Sequence, residues 1–271
     1  MSMLSVAFED FILSREAMLC SPQTIDFYQR MLTPFLEFTN GHELSNRHVR
    51  EFLATVAQRG VASSTVHAHA RALRAFLRFS YEEDWIDEPV TVRMPRVEQK
   101  RMEVLSREDV RKVLSVAGTR DHALVLTLID SGLRRGEALA LDWDDIDLRT
   151  GMVHVRRGKG GKARVTYVGA KTRRALLRWG GGQRSSAIFP LTPSGGATLM
   201  ARLTTRSGVH ITFHKCRRTF ATWALNGGMD LFSLQRLLGH SSLEMVRRYA
   251  KQSDRILKIA HDRVGPIDNV L

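Results

Sequence analysis

Between Leu148 and Met229 the chain has no aspartate and no glutamate, although its 271 residues include 28 acids. The same stretch holds sixteen lysines and arginines, from Arg149 to Arg218. A charge run of this kind is either a solvated basic face or a surface that meets a polyanion. The lack of compensating carboxylates favours the second, because they would repel a nucleic-acid backbone. Cysteine is scarce as well. Cys20 and Cys216 lie far apart and form no CxxC pair, which excludes a disulfide framework and predicts a reducing compartment. Purely apolar stretches such as Ala123–Leu126 fall far short of the ~20 residues that a membrane span needs. Near the start, Glu9 and Asp10 stand where a secretory signal would carry lysine or arginine. These absences predict a soluble, cytoplasmic protein.

What is present belongs to a folded chain. Hydrophobic residues make up 43% and charged residues 25%, and the length suits one large domain or two modest ones. The net charge of +13 comes from the later part of the chain: residues 1–100 sum to −2 and residues 101–271 to +15.

Residues 1–85 predict a helical bundle. Ser21-Pro22 is a capping residue before a proline at the first helical position, followed by Ile25, Tyr28, Leu32, Phe35 and Leu36 at helical spacing. Ser45 opens a second helix with Val49, Phe52, Leu53 and Val56, and Gly60 ends it. A third runs from Ser64, with Val66, Leu73, Phe76 and Leu77 on one face. Arg71, Arg74 and Arg78 line another face, as a solvated surface or as a stripe that lies along DNA. Pro89 and Pro95 then forbid a continuous helix, and residues 86–103 are expected to be a linker.

A second domain is expected over 104–271. Ser106 with Asp109 three residues on gives a capping-box signal, and helices are expected at 106–117 and 120–140. Met152–Arg156 and Ala163–Val168 predict a β-hairpin whose turn contains Gly158-Lys159-Gly160-Gly161-Lys162. A helix is expected at about 170–179, a loop from Gly180, and helices from about 197 onward.

Two nucleotide or metal readings fail. The glycine-rich turn is no P-loop, since Ala163 follows Gly161-Lys162 and Arg156 stands where the first glycine belongs. His214, Cys216 and the distant His240 lack the paired spacing of a zinc site. Neither a metal nor a cofactor is expected.

Three further segments carry chemistry together. GLRRGE at 132–137 puts arginines at a glycine-flanked turn, His214 and Arg217 lie at i, i+3, and Tyr249 follows Gly239-His240 by nine residues. Together they resemble the tyrosine recombinase, or phage integrase, family, most of all its compact Xer-type members. The resemblance covers the whole layout and implies a mainly α fold. A helical, SAM-like core-binding domain would bind DNA, joined to an α+β catalytic domain with a small antiparallel sheet.

Carried onto this sequence, the family pattern points to Arg134 with Glu137 as its supporting carboxylate, and to His214, Arg217, His240 and the nucleophile Tyr249. The hairpin lysine is Lys159, with Lys162 a close competitor; Lys162 and Arg164 are otherwise expected to contact DNA. Many relatives place histidine after the second arginine, where this chain has Arg218. The resemblance implies cleavage and rejoining of double-stranded DNA at a recombination site through a covalent 3′-phosphotyrosine, without ATP. It also implies four protomers, identical or of two related kinds, on two duplexes. Residues 256–271, apolar at Ile256, Ile259 and Ala260, would pack on a neighbouring protomer or on their own domain. A type IB topoisomerase and an inactive DNA-binding protein of the same fold are the alternatives.

Overall fold

The computed structural model describes residues 3–39, 44–97, 102–156, 163–180 and 187–239. The chain divides into two compact units, Met1–Lys100 and Arg101–Leu271. Among the described residues the fold is mainly helical with one small antiparallel sheet, as the sequence predicts.

The first unit consists of α1 (Met3–Ala17), α2 (Pro22–Phe38), α3 (Asn46–Gln58) and α4 (Ser63–Glu82). Local chemistry sets the helix starts. The Ser21 hydroxyl accepts the Thr24 N–H with Pro22 in the first turn, and Ser45 accepts the His48 N–H. The helix expected from Ser64 begins one residue earlier, after Ala62, which offers no side-chain cap. The sequence signals did not single out α1, yet it supplies the centre of the core. Phe11 is fully buried and meets Tyr28, Phe76 and Phe79 edge-on at 4.9, 5.6 and 5.4 Å. Burying each such ring contributes about 2 kcal/mol.

The expected linker is not free along its described length. Val92 is 4% exposed and joins the helical core, flanked by Val90 and Met94. Arg74 Nη2 donates to the Val92 carbonyl at 2.9 Å, and the Thr91 N–H donates to Asn46 Oδ1 at 2.7 Å. Residues 90–95 therefore strap the bundle, because extended backbone between two prolines still buries an alternate apolar side chain.

The second unit begins with α5 (Arg107–Val116), started by the expected Ser106–Asp109 capping box. It continues with α6 (Thr119–Ser131), α7 (Arg135–Leu139), β1 (Ile146–Asp147), β2 (Met152–Val155) and β3 (Arg164–Tyr167). Helices α8 (Ala170–Gly180), α9 (Pro193–Ser207), α10 (Phe213–Asn226) and α11 (Leu231–Leu238) follow. The strands pair antiparallel in the order β1-β2-β3, with Val153 opposite Thr166, and both of those residues are buried. The hairpin is thus present; its tip, with Lys159 and Lys162, lies outside the described residues, as does 256–271.

The single helix expected at 120–140 is instead two. Gly132 takes a left-handed conformation (φ 64°) and ends α6; a Cβ there would strike the Phe220 ring and come within 2.9 Å of Leu238. The turn is set by this close approach of α10 and α11 to α6. Leu124, Leu128, Leu133, Leu176 and Phe189 form the fully buried centre of the unit, and a smaller cluster of Phe220, Leu225, Leu234 and Leu238 joins α10 to α11. No helix among the described residues is long and apolar enough to cross a membrane.

Candidate active site

The turn after α6 presents Arg134. Its backbone N–H donates to Glu137 Oε2 at 2.7 Å while its own Nη1 donates to Oε1 at 2.8 Å, so one carboxylate caps α7 and orients the arginine at once. The sequence-predicted pair is therefore in contact. Arg134 Nη2 also donates to the Gly239 carbonyl at 3.0 Å. These bonds occupy only part of its five-donor fork, and the side chain keeps 26% exposure.

Helix α10 starts at Thr212, whose hydroxyl accepts the Lys215 N–H, and carries His214 and Arg217 one turn apart. Arg217 is 4% exposed and reaches two other elements. Nη1 donates to the Gly132 carbonyl at 2.6 Å and Nη2 to the Leu238 carbonyl at 2.7 Å. Gly132 thus serves twice, as the left-handed end of α6 and as an acceptor for Arg217.

His214 is held below its usual pKa of 6.5, first by desolvation and then by the charges of Arg218, Arg217, Arg135 and Arg134. It is neutral at pH 7 and can accept a proton there. Arg135 and Arg218 thereby belong to the electrostatics of the site, although the family pattern assigns them no catalytic part; the signal was their adjacency to Arg134 and Arg217. Cys216 is fully buried, and burial pushes its thiol up to about 12, so it offers neither a nucleophile nor a ligand at neutral pH.

Arg164, expected to contact DNA, is engaged within the protein. Its side chain is 8% exposed, and Nη1 and Nη2 grip Glu137 Oε1 and Oε2 at 2.7 Å each. Nε donates to the Leu237 carbonyl at 2.8 Å. Each guanidinium nitrogen has a protein acceptor, so three of its five donors are engaged within the protein. The partner that captures it lies 27 positions earlier in the chain, beyond any local pattern. Burial pushes the Glu137 carboxyl up, but hydrogen bonds from Arg164 and the Arg134 amide, and the Arg164 charge, outweigh it and bring the pKa to about 2.

In the first unit Arg71, Arg74 and Arg78 all lie on the exposed side of α4, and each has a partner. Arg71 stacks over the Phe27 ring at 4.6 Å, Arg74 holds the strap at Val92, and Arg78 pairs with Glu82 at 2.7 Å. Lys159, Lys162, His240 and Tyr249 lie outside the described residues. Among the described residues no group of three or more His, Cys, Asp or Glu could hold a metal ion.

Comparison with known proteins agrees with this layout. The phage integrase family model matches residues 103–255, and that of the phage integrase N-terminal SAM-like domain matches residues 8–87. Tyrosine recombinase XerA of Thermococcus kodakarensis is 32% identical over 265 residues, which cover 93% of this chain and 92% of that protein. Tyrosine recombinase XerC of Xanthomonas campestris pv. campestris is 28% identical over 270 residues, 91% of this chain and 84% of that one. Among solved structures, the Tn1549 transposon integrase in complex with a circular intermediate DNA aligns with a TM-score of 0.80 at 16% identity, over 97% of this chain and 100% of that chain. A lambda integrase dimer bound to a core site aligns at 0.75 and 17% identity, over 89% and 96%. These two establish the fold.

The chain belongs to the phage integrase family. It is an enzyme of the tyrosine recombinase class, similar in sequence to the Xer proteins.

Proposed function

We propose that the protein is a site-specific DNA recombinase that cleaves and rejoins strands of double-stranded DNA through a covalent 3′-phosphotyrosine on Tyr249. The observation that carries this reading is the convergence of Arg134 and Arg217 on adjacent carbonyls, Gly239 and Leu238, at the end of α11, immediately before His240 in the chain.

In-line attack on a phosphodiester builds charge on the non-bridging oxygens, and arginine suits that charge because its fork is permanently cationic and two-pronged. Arg134 would take one oxygen with its unused donors. Arg217 would take part by exchanging a carbonyl acceptor for a phosphate oxygen. Neutral His214 would accept or relay the proton that Tyr249 loses on attack, and His240 would hydrogen-bond the phosphate. Lys159, between β2 and β3 in the chain, would protonate the departing 5′ oxygen. The phosphotyrosine keeps the energy of the broken ester, so a 5′ hydroxyl can reseal the strand without ATP, and the arginines supply the charge for which other nucleases recruit a metal.

The unit ahead of Lys100 would bind DNA through the α4 face, the catalytic unit would hold the scissile phosphate, and four protomers, alike or of two related kinds, would hold two duplexes in a soluble, cytoplasmic complex. The test is incubation with a nicked suicide duplex carrying a site selected by this protein from a randomised DNA pool. A protein-linked strand on a denaturing gel supports the reading, and exchange between two labelled duplexes separates recombination from topoisomerase-like resealing. Tight binding without adduct would leave a DNA-binding protein and overturn it.

A further inference from the structure

Helix α11 ends on three carbonyls that normally go without an intrahelical partner, Leu237, Leu238 and Gly239. Each is taken by an arginine from a different element. Arg164 on β3 donates to Leu237, Arg217 on α10 to Leu238, and Arg134 in the turn before α7 to Gly239. The first of these has no part in the proposed chemistry, yet it is the most engaged. Arg164 closes a symmetric two-bond fork on Glu137, the carboxylate that also orients Arg134. Gly239, left-handed at φ 64°, lies so close that a Cβ there would come within 2.8 Å of Arg164 Cδ.

We propose that Arg164 is a positioning residue for strand cleavage: by bridging Glu137 and the Leu237 carbonyl, it fixes the Arg134 guanidinium relative to the C-terminal end of α11. This rests on the recombinase reading and assigns Arg164 a role other than contact with DNA.

The argument is geometric. Arg134 bonds each Glu137 oxygen once, Oε2 through its main-chain N–H and Oε1 through Nη1. The Arg164 fork adds a second, charged bond to each oxygen and so stiffens the carboxylate against rotation. Its Nε then ties the same rigid unit to α11, whose last carbonyls are the acceptors for Arg134 and Arg217. A buried arginine also carries a desolvation cost that an apolar residue would avoid, so simple packing of β3 does not account for it. Lysine cannot replace it, because a point charge cannot grip two oxygens and a carbonyl at defined angles.

The test uses the full-length protein, Arg164→Lys and Arg164→Met with the suicide duplex described above, measuring adduct formation at saturating DNA, duplex affinity, thermal unfolding and the dependence of rate on pH. Arg164→Lys should lower the saturated rate at least about tenfold and Arg164→Met about a hundredfold, with affinity within about threefold of wild type. In Arg164→Met the acid side of the rate profile should move to higher pH, because Glu137 loses its strongest counter-charge; a merely structural loss would scale the rate equally at every pH. Rates within twofold of wild type in both variants, or losses that follow affinity and unfolding temperature with an unchanged pH profile, would overturn the proposal. If Arg164→Met does not fold, the charge-preserving Arg164→Lys decides by its rate at saturating DNA. Absence of adduct with the wild-type protein would contradict the recombinase reading itself.

Discussion

Arg217, on α10, donates to the carbonyl of Gly132 at 2.6 Å, joining that helix to the turn that presents Arg134. The bond makes one residue answerable for both fold and chemistry, whereas Arg134, at 26% side-chain exposure, is placed mainly for chemistry.

Arg217→Ala should therefore cost about 3 kcal/mol of stability, because the Gly132 and Leu238 carbonyls lose a charged donor in a buried setting. Arg134→Ala should cost about 1 kcal/mol. Both should lower the cleavage rate at saturating DNA by at least about a hundredfold, since each removes charge from the transition state. Urea unfolding and single-turnover cleavage check this pair; an Arg217→Ala protein as stable as wild type would contradict the assignment.

Gly132→Ala places a methyl group against the Phe220 ring and Leu238 at a left-handed backbone position. A loss of about 3 kcal/mol is expected, from the conformational penalty and the displaced ring together. Gly136→Ala, where a Cβ meets nothing within 4 Å, should change stability by less than about 0.5 kcal/mol. Equal melting temperatures for the two variants would show that the turn is not set by this contact.

These residues also mark where the sequence was legible. Ser21-Pro22, Ser45 and Ser106 with Asp109 announced three helix starts, because a cap is a local hydrogen bond between residues three apart. The hairpin strands showed in alternating Val153 and Val155, and Arg134 with Glu137 lay within one turn. Arg164 did not reveal itself, since its acceptors lie 27 positions before it and 73 positions after it. The strap at 90–95 was equally hidden: prolines exclude a helix, but they do not exclude burial of Val92. Gly132 showed only as part of a glycine-flanked turn, while the break in the expected helix comes from the approach of Phe220 on α10.

The depressed pKa of His214 gives a pH dependence with a definite sign. A histidine that binds its proton less tightly when folded contributes stability above pH 6.5 that is lost as pH falls through and below that value. Cleavage should stay level above that region and fall in acid as the imidazole is protonated. His214→Gln should be slow throughout and lack this step. Glu137 behaves similarly at lower pH: its contribution is complete above 4.5 and is lost as pH falls toward about 2. Rate and unfolding measured from about pH 3 to 8 check both.

Lys159 and Lys162 can be separated by the leaving group. If Lys159 protonates the 5′ oxygen, Lys159→Ala should be slow on an ordinary duplex and recover on one with sulfur at the 5′-bridging position, because a thiolate leaves without a proton. Lys162→Ala should show a milder defect that sulfur does not relieve. Rescue of Lys162→Ala alone would exchange the two roles.

The central claim is that Tyr249 attacks DNA. Trapping the adduct on a suicide duplex, digesting the protein and locating the nucleotide-bearing peptide by mass spectrometry tests it most directly. The account predicts a phosphate linkage on the peptide containing Tyr249, and no adduct from Tyr249→Phe at undiminished duplex affinity. An adduct on any other residue, or one that persists in Tyr249→Phe, would contradict it.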